Sequence, residues 1–91
     1  MIDGKKQRNA LTGAEQALRA LGAGDGDRAR KNAAKAAELD QVGAYADLVA
    51  AVDDAAADLE GGGEVSAASW DAVAEAVGAG PLSFLVEEMR R

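Results

Sequence analysis

The sequence predicts an all-α fold, a small antiparallel bundle of four to five helices. Alanine, the best helix former, makes up 23 of the 44 apolar residues. The larger apolar residues recur at a spacing of three or four and never alternate with polar ones over the length of a strand. Clusters of glycine and a single proline divide the chain into helix-sized segments. A chain of 91 residues is expected to form a single domain, residues 1–91, with a thin core.

The first predicted helix begins at Thr12, because Thr12 and Glu15 have the spacing of a capping box. A start near Asp3 is the alternative. Residues 1–9 are otherwise expected to be disordered. Gly22 is placed to end the helix in a left-handed conformation. The apolar stripe of this helix consists of Leu11, Ala14, Leu18 and Leu21.

The second predicted helix covers residues 27–39, with Asp25 or Asp27 as its N-cap. The short loop before it predicts that the helix folds back antiparallel to the first. Its inward face is expected to hold only small residues and a final leucine: Ala29, Ala33, Ala36, Ala37 and Leu39. Three cations recur at i, i+3 and i+7 on another face and form a basic stripe: Arg28, Lys31 and Lys35.

The strongest helical pattern lies in residues 42–60, where large apolar residues repeat across one face. They are Tyr45, Leu48, Val49, Val52, Ala56 and Leu59. Acidic side chains line a different face: Asp47, Asp54 and Asp58. Three glycines then predict the end of this helix and a Gly-rich linker over residues 61–65, because glycine loses the most backbone entropy in a helix.

Ser66 is the predicted N-cap of a fourth helix over residues 67–77. Proline and glycine in residues 78–81 predict a helix break, followed by a short fifth helix. Trp70 and Phe84 are expected in the core, because only 21 apolar residues are larger than alanine. The fifth helix packs on the bundle, exchanges with a second copy or presents an apolar face to a partner. The candidate apolar contacts on it are Leu82, Leu85 and Met89.

Residues 24–41 resemble the second half of a tetratricopeptide repeat, in which a Gly-Asp turn leads into a helix with small residues at set positions and a Leu-Asp ending. The matching residues are Gly24, Asp25, Ala29, Ala36, Leu39 and Asp40. The chain departs from the family pattern at Gly13, Gln16, Ala20, Ala33 and Gln41. No second repeat follows, so the resemblance, limited to residues 11–41, implies one helix hairpin and, by analogy, a role in protein binding.

Catalytic and metal-binding patterns are weak. The chain has no cysteine or histidine, which excludes disulfides, His/Cys metal sites and His- or Cys-based nucleophile pairs. Asp25 and Asp27 have the spacing of the first two ligands of a calcium-binding loop. Basic residues follow at the positions where such a loop needs further oxygen ligands. The other carboxylates, notably the Asp53, Asp54 and Asp58 group, are interpreted as solvated helix faces. We therefore predict a non-enzymatic protein without catalytic, cofactor-binding or metal-binding residues.

Charge is divided along the chain. Residues 1–35 carry eight basic and four acidic side chains, a net charge of +4, whereas residues 36–89 carry twelve acidic and no basic ones. The stripe of Arg28, Lys31 and Lys35 is the candidate partner contact. The predicted role is a protein–protein interaction or accessory module that binds an unknown protein or self-associates. The alternatives are nucleic-acid binding through the basic third, and a basic hairpin that neutralises the acidic helix beside it.

The N-terminal segment has no apolar run typical of a secretory signal, and no window approaches the roughly 20 apolar residues of a membrane span. These features predict a cytoplasmic protein without a membrane partner.

Overall fold

A computed structural model describes residues 2–91, and within them it is an all-α helical bundle without strands. The five helices are α1 (Gly4–Gly22), α2 (Gly26–Leu39), α3 (Ala46–Gly62), α4 (Ala67–Val77) and α5 (Pro81–Met89). The predicted fold class is therefore confirmed. The hairpin of α1 and α2 is antiparallel, since the start of α1 is hydrogen-bonded to the end of α2. Its kinship with tetratricopeptide repeats stays a prediction.

The helices form a closed ring. Each helix packs against its neighbours in the sequence, α5 packs against α1, and α3 also reaches α1 across the interior. Within residues 2–91, no Cα atom of α1 lies within 8 Å of one of α4, and both α3 and α5 contact the two helices. The ring surrounds one core to which all five helices contribute.

Helix α1 begins earlier than the capping-box prediction. Asp3 is its N-cap, and the Asp3 carboxylate accepts hydrogen bonds from the backbone N–H groups of Lys5 (3.0 Å) and Lys6 (3.2 Å). The alternative start near Asp3 is the correct one. Thr12 lies inside the helix and donates its hydroxyl hydrogen to the Arg8 carbonyl at 3.1 Å. The expectation of disorder is wrong for residues 4–9, which are helical, while Met1 lies outside the described residues.

Helix α3 begins at Ala46, later than the predicted start at position 42. The carboxylate of Asp40 accepts hydrogen bonds from the backbone N–H groups of Val42 (3.0 Å) and Tyr45 (2.9 Å), which holds residues 40–45 in a turn. Val42 consequently lies on the surface, with 57% of its area exposed.

The predicted left-handed conformation of Gly22 is wrong, because Gly22 is helical and Gly24 has the positive φ of 79°. Three other helix ends follow local signals. Helix α3 continues into the predicted linker as far as Gly62, and Gly63 ends it with a positive φ of 81°, which glycine tolerates without strain. Ser66 caps α4 by accepting a hydrogen bond from the Ser69 N–H at 3.1 Å. Pro81 occupies the first turn of α5, where its missing N–H costs no helical hydrogen bond.

The core is rich in alanine, and the fifth helix is part of it. Leu82, Leu85 and Val86 are buried, so α5 packs on the bundle, and a role of Leu82 and Leu85 as apolar contacts stays a prediction. The expectation that Phe84 lies in the core is wrong, because 76% of its area is exposed. The fully buried larger side chains are Leu18, Leu48, Val52, Val73 and Val86.

Candidate interaction surfaces

The basic stripe, defined as Arg28, Lys31 and Lys35, lies exposed on α2. The burial of Ala29, Ala33 and Ala36 on another face of the helix turns these three cations outward. Within residues 2–91, none of the three side chains has an ion pair or a side-chain hydrogen bond. The stripe therefore presents three positive charges to solvent.

The adjacent cation, Arg30, has a different environment. Its guanidinium forms an ion pair and a hydrogen bond with Glu60, and its Nε lies 3.7 Å from Asp53 Oδ1, both on α3. The hydrogen bond to Glu60 raises the pKa of Arg30 above its ordinary value, against the smaller opposing effect of burial. The predicted neutralisation of the acidic helix by the basic hairpin thus occurs at Arg30, whereas the basic stripe takes no part in it.

A second charged surface, the acidic groove, lies between α3 and α4. It has a volume of about 300 Å³, with alanine side chains along it and three carboxylates from the two helices. Its lining residues are Asp47, Ala50, Ala51, Asp54, Ala72, Glu75 and Ala76. Among residues 2–91, the three carboxylates of the groove have no cation within ion-pair distance. The groove is the negative counterpart of the basic stripe.

A third feature, the end groove, has a volume of about 390 Å³ and lies where α1, α3 and α5 end and α4 begins. Leu21, Trp70 and Met89 are among its apolar lining residues. Met89, one of the predicted apolar contacts, thus lines a surface groove. Its side chain packs directly on Gly22, where a methyl group would collide with the Met89 sulfur. Charged residues also line it: Glu64, Arg90 and Arg91.

Asp58, Ser66 and Ser69 form a hydrogen-bonded cluster between α3 and α4. One Asp58 carboxylate oxygen accepts from the Ser69 hydroxyl (2.5 Å), the Ser66 hydroxyl (2.8 Å) and the Ser66 N–H (3.0 Å). The hydrogen bond from Ser69, followed by those from Ser66, lowers the pKa of Asp58 below its ordinary value. A carboxylate with a lowered pKa is a poor base for activating a serine, so we interpret the cluster as a brace for the helix turn.

A second polar network joins the start of α1 to the turn after α2. Gln41 donates to the Asp3 carbonyl (2.8 Å) and accepts from the Asp3 N–H (2.9 Å), and the Gln7 amide donates to Asp40 (2.9 Å). Burial raises the pKa of Asp40, but the hydrogen bonds from Gln7 and from backbone N–H groups outweigh it and leave the pKa below its ordinary value. Burial, and then the charge of Asp40, raise the pKa of Tyr45.

The acidic residues do not cluster as a metal site would require. Within the described residues 2–91, no group of three or more carboxylates is arranged to hold an ion. The acidic side chains of α3 instead separate into different roles, since Asp53 faces Arg30, Asp58 braces the turn and Asp54 lines the acidic groove. Asp53 is exposed, as the interpretation of a solvated face predicted, whereas Asp58 is half-buried and hydrogen-bonded and departs from that interpretation.

Across the part of the chain that the structure describes, no helix is both long enough and apolar enough to cross a bilayer.

Several of these features left no local signal in the sequence. Asp58 lies eight residues before Ser66, and Gln41 lies 38 residues after Asp3, so their pairing depends on how the helices fold back. The acidic groove combines Asp47 and Asp54 with Glu75, which share a surface only after α4 packs on α3.

Comparison with known proteins adds no relative, since no family model, curated protein or solved structure matches this chain.

Proposed function

We propose that this protein is a non-enzymatic interaction module whose basic stripe binds an acidic protein surface. The single observation that carries the proposal is the contrast between Arg30, which is paired inside the molecule, and Arg28, Lys31 and Lys35, which are not. Three cations without an ion pair on one helix face provide a local positive field in a protein whose net charge is −6. Such a field steers and orients an acidic partner.

The chemistry of the stripe favours a protein over a nucleic acid. Nucleic-acid grooves that bind single strands commonly add aromatic side chains on which bases stack. Trp70 is buried, and Tyr45 and Phe84 lie outside α2, so the stripe has no stacking platform of its own. The acidic groove and the other carboxylates would also repel a polyphosphate approaching from most directions.

The direct test is the affinity for a fluorescein-labelled polyglutamate peptide, measured by fluorescence anisotropy. We expect saturable binding in about 0.1 M salt that is lost in about 1 M salt, where the screening length falls from about 10 Å to about 3 Å. The Lys31→Glu/Lys35→Glu variant should bind about tenfold more weakly, because reversing two exposed charges changes several pair energies of up to about 1 kcal/mol each.

The matched control is Lys5→Glu/Lys6→Glu, which makes the same change in net charge at the start of α1. Both lysines are exposed, and acidic residues are favoured in the first turn of a helix, so this variant should fold. We expect its affinity for the peptide to stay within about twofold of the wild type. Equal losses in the two variants would contradict a specific role of the stripe.

The same assay with a labelled DNA duplex tests the nucleic-acid alternative. Tighter binding of the duplex than of the peptide, weakened in both variants, would replace the present proposal with phosphate binding through the whole basic third. Absence of any binding by either ligand in about 0.1 M salt would refute both functions.

A further inference from the structure

We infer that the acidic partner of the basic stripe is the acidic groove of a second copy of this chain. This inference rests on the proposed function and names its partner. The stripe and the groove have opposite charge, equal numbers of charged groups, and no ion pairs within residues 2–91. The unpaired charges of the stripe are therefore complementary to those of the groove.

The spacing of the charges also matches. Arg28 and Lys35 are seven residues apart on α2, and Asp47 and Asp54 are seven residues apart on α3. Seven residues span about 10.5 Å along an α-helix, so two outer cations and two outer carboxylates can face each other simultaneously. Lys31 lies between the outer cations, and Glu75 lines the same groove from α4. Three charge pairs can form across one contact.

One molecule cannot satisfy its own stripe. Helix α3 contacts α2 through the side that carries Asp53 and Glu60, and contacts α4 through the side that carries Asp58. In the described part of the chain, no Cα atom of α2 lies within 8 Å of one of α4. The stripe and the acidic groove therefore lie on different flanks of the bundle, and their pairing requires a second copy.

The shape of the groove suits a helix. Alanines at positions 50, 51, 72 and 76 leave a shallow floor between the carboxylates. The exposed face of α2 carries another small side chain, Ala34, beside Lys31 and Lys35. Small residues on both surfaces allow two helices to approach closely while the long cationic side chains reach the carboxylates at the sides.

With the stripe and the groove on different flanks of the bundle, each copy uses them to contact two different neighbours, so the contact is heterologous. Each added copy leaves one free stripe and one free groove at the two ends of the assembly. Association therefore continues beyond a dimer unless the copies themselves close into a ring-shaped oligomer. The net charge of −6 on each copy opposes association, but at about 0.1 M salt the screening length of about 10 Å limits this repulsion more than the facing pairs.

Two neutralising variants test the contact by sedimentation velocity. The stripe variant is Arg28→Gln/Lys31→Gln/Lys35→Gln, and the groove variant is Asp47→Asn/Asp54→Asn/Glu75→Gln. We expect the wild type to sediment with an average mass that rises with concentration to more than about twice the 9.2 kDa monomer, and to return to the monomer in about 1 M salt. Each variant alone should remain a monomer.

An equimolar mixture of the two variants is the decisive measurement. The stripe variant retains its groove and the groove variant retains its stripe, so the mixture contains one competent pair of surfaces and should stop at a 1:1 dimer. The control Glu64→Gln/Glu87→Gln/Glu88→Gln removes three exposed negative charges elsewhere and should associate like the wild type. Circular dichroism spectra of all variants check that they fold.

A monomeric wild type at all concentrations in about 0.1 M salt would overturn this inference, as would a folded groove variant that still self-associates. Peptide binding separates the two proposals. A monomeric wild type that binds polyglutamate through the stripe would leave the proposed function intact and remove only the second copy as partner. A monomeric wild type that does not bind the peptide would refute both.

Discussion

Gly13 on α1 lies directly against Ala36 on α2, so close that a Cβ built on Gly13 would be 3.3 Å from the Cβ of Ala36 and 3.3 Å from its backbone nitrogen. This close approach is possible because neither residue has a side chain beyond a methyl group. The glycine therefore permits a tighter crossing of the hairpin than a large side chain would allow.

Substitutions of Gly13 by larger residues should separate the effect of helix propensity from the effect of packing against Ala36. For Gly13→Ala, the gain in helix propensity of about 1 kcal/mol opposes the tight contact, so the free energy of unfolding should change by less than about 1 kcal/mol. For Gly13→Leu, overpacking should lower it by about 1–3 kcal/mol. Urea unfolding monitored by circular dichroism measures both.

The control for this comparison is Gly61→Ala on α3, because a Cβ there would meet no atom within 4 Å. This variant should be stabilised by up to about 1 kcal/mol, which is the propensity effect alone. Equal stabilisation by Ala at both glycines would contradict a tight contact at Gly13.

Removing the hydroxyl of Ser66 should weaken the start of α4. The hydroxyl accepts from the Ser69 N–H and donates to Asp58, so Ser66→Ala loses both the helix cap and part of the brace. We expect a loss of about 0.5–2 kcal/mol in the free energy of unfolding. Ser66→Thr retains the hydroxyl and should stay close to the wild type, and equal losses in the two variants would contradict a capping role.

Stability should fall in acid because of Asp40 and Asp58, whose pKa values are lower in the folded protein than usual. A carboxylate with a lowered pKa stabilises the fold above its unfolded-state pKa, about 3.9, and this contribution is lost as the pH falls through the lower folded-state value. The urea midpoint should therefore be nearly constant from neutrality to about pH 5 and decrease below about pH 4.

Asp58→Asn should reduce this acid dependence and lower the midpoint at neutral pH, because the amide cannot replace a charged acceptor of three hydrogen bonds. Glu87→Gln provides the matched control, since Glu87 is exposed and has no ion pair within the described residues. Its acid dependence should equal that of the wild type. An unchanged profile in Asp58→Asn would show that other groups govern acid unfolding.

Truncation of two adjacent side chains on α5 should lower the free energy of unfolding by very different amounts. Leu85 is buried and Phe84 is 76% exposed. Leu85→Ala should lower the free energy of unfolding by about 2–5 kcal/mol through loss of burial and formation of a cavity. Phe84→Ala should change it by less than about 0.5 kcal/mol. A larger loss from Phe84→Ala than from Leu85→Ala, measured by urea unfolding, would contradict the orientation of α5.

The sequence was most informative where the signal is local. Ser66, Gly63 and Pro81 act within a few residues of the helix ends that they define, and the bounds of α4 matched the prediction. The start of α1 was ambiguous because Asp3 and Thr12 are both good caps, and Asp3 is additionally held by Gln41 from a distant turn. That long-range pairing cannot be recognised from spacing.

Side-chain size did not predict which residues are buried on α5, the shortest of the five helices. Phe84 was expected inside because large apolar residues are scarce, yet Leu82, Leu85 and Val86 occupy the buried face of α5 and leave Phe84 on the opposite one. The basic stripe was readable from the sequence, because the three cations lie on one helix. The acidic groove was not, because it belongs to two helices.

The closure of the ring by α5 has a kinetic consequence. Contacts within α1, α2 and α3 join neighbouring segments, whereas the contact of α5 with α1 joins helices from the two ends of the described chain. Forming it requires the largest loss of chain entropy, so docking of α5 is expected to be the last step of folding. Trp70 is the only tryptophan and lines the end groove together with Met89 of α5. Its fluorescence should therefore report ring closure after the helical signal has already developed.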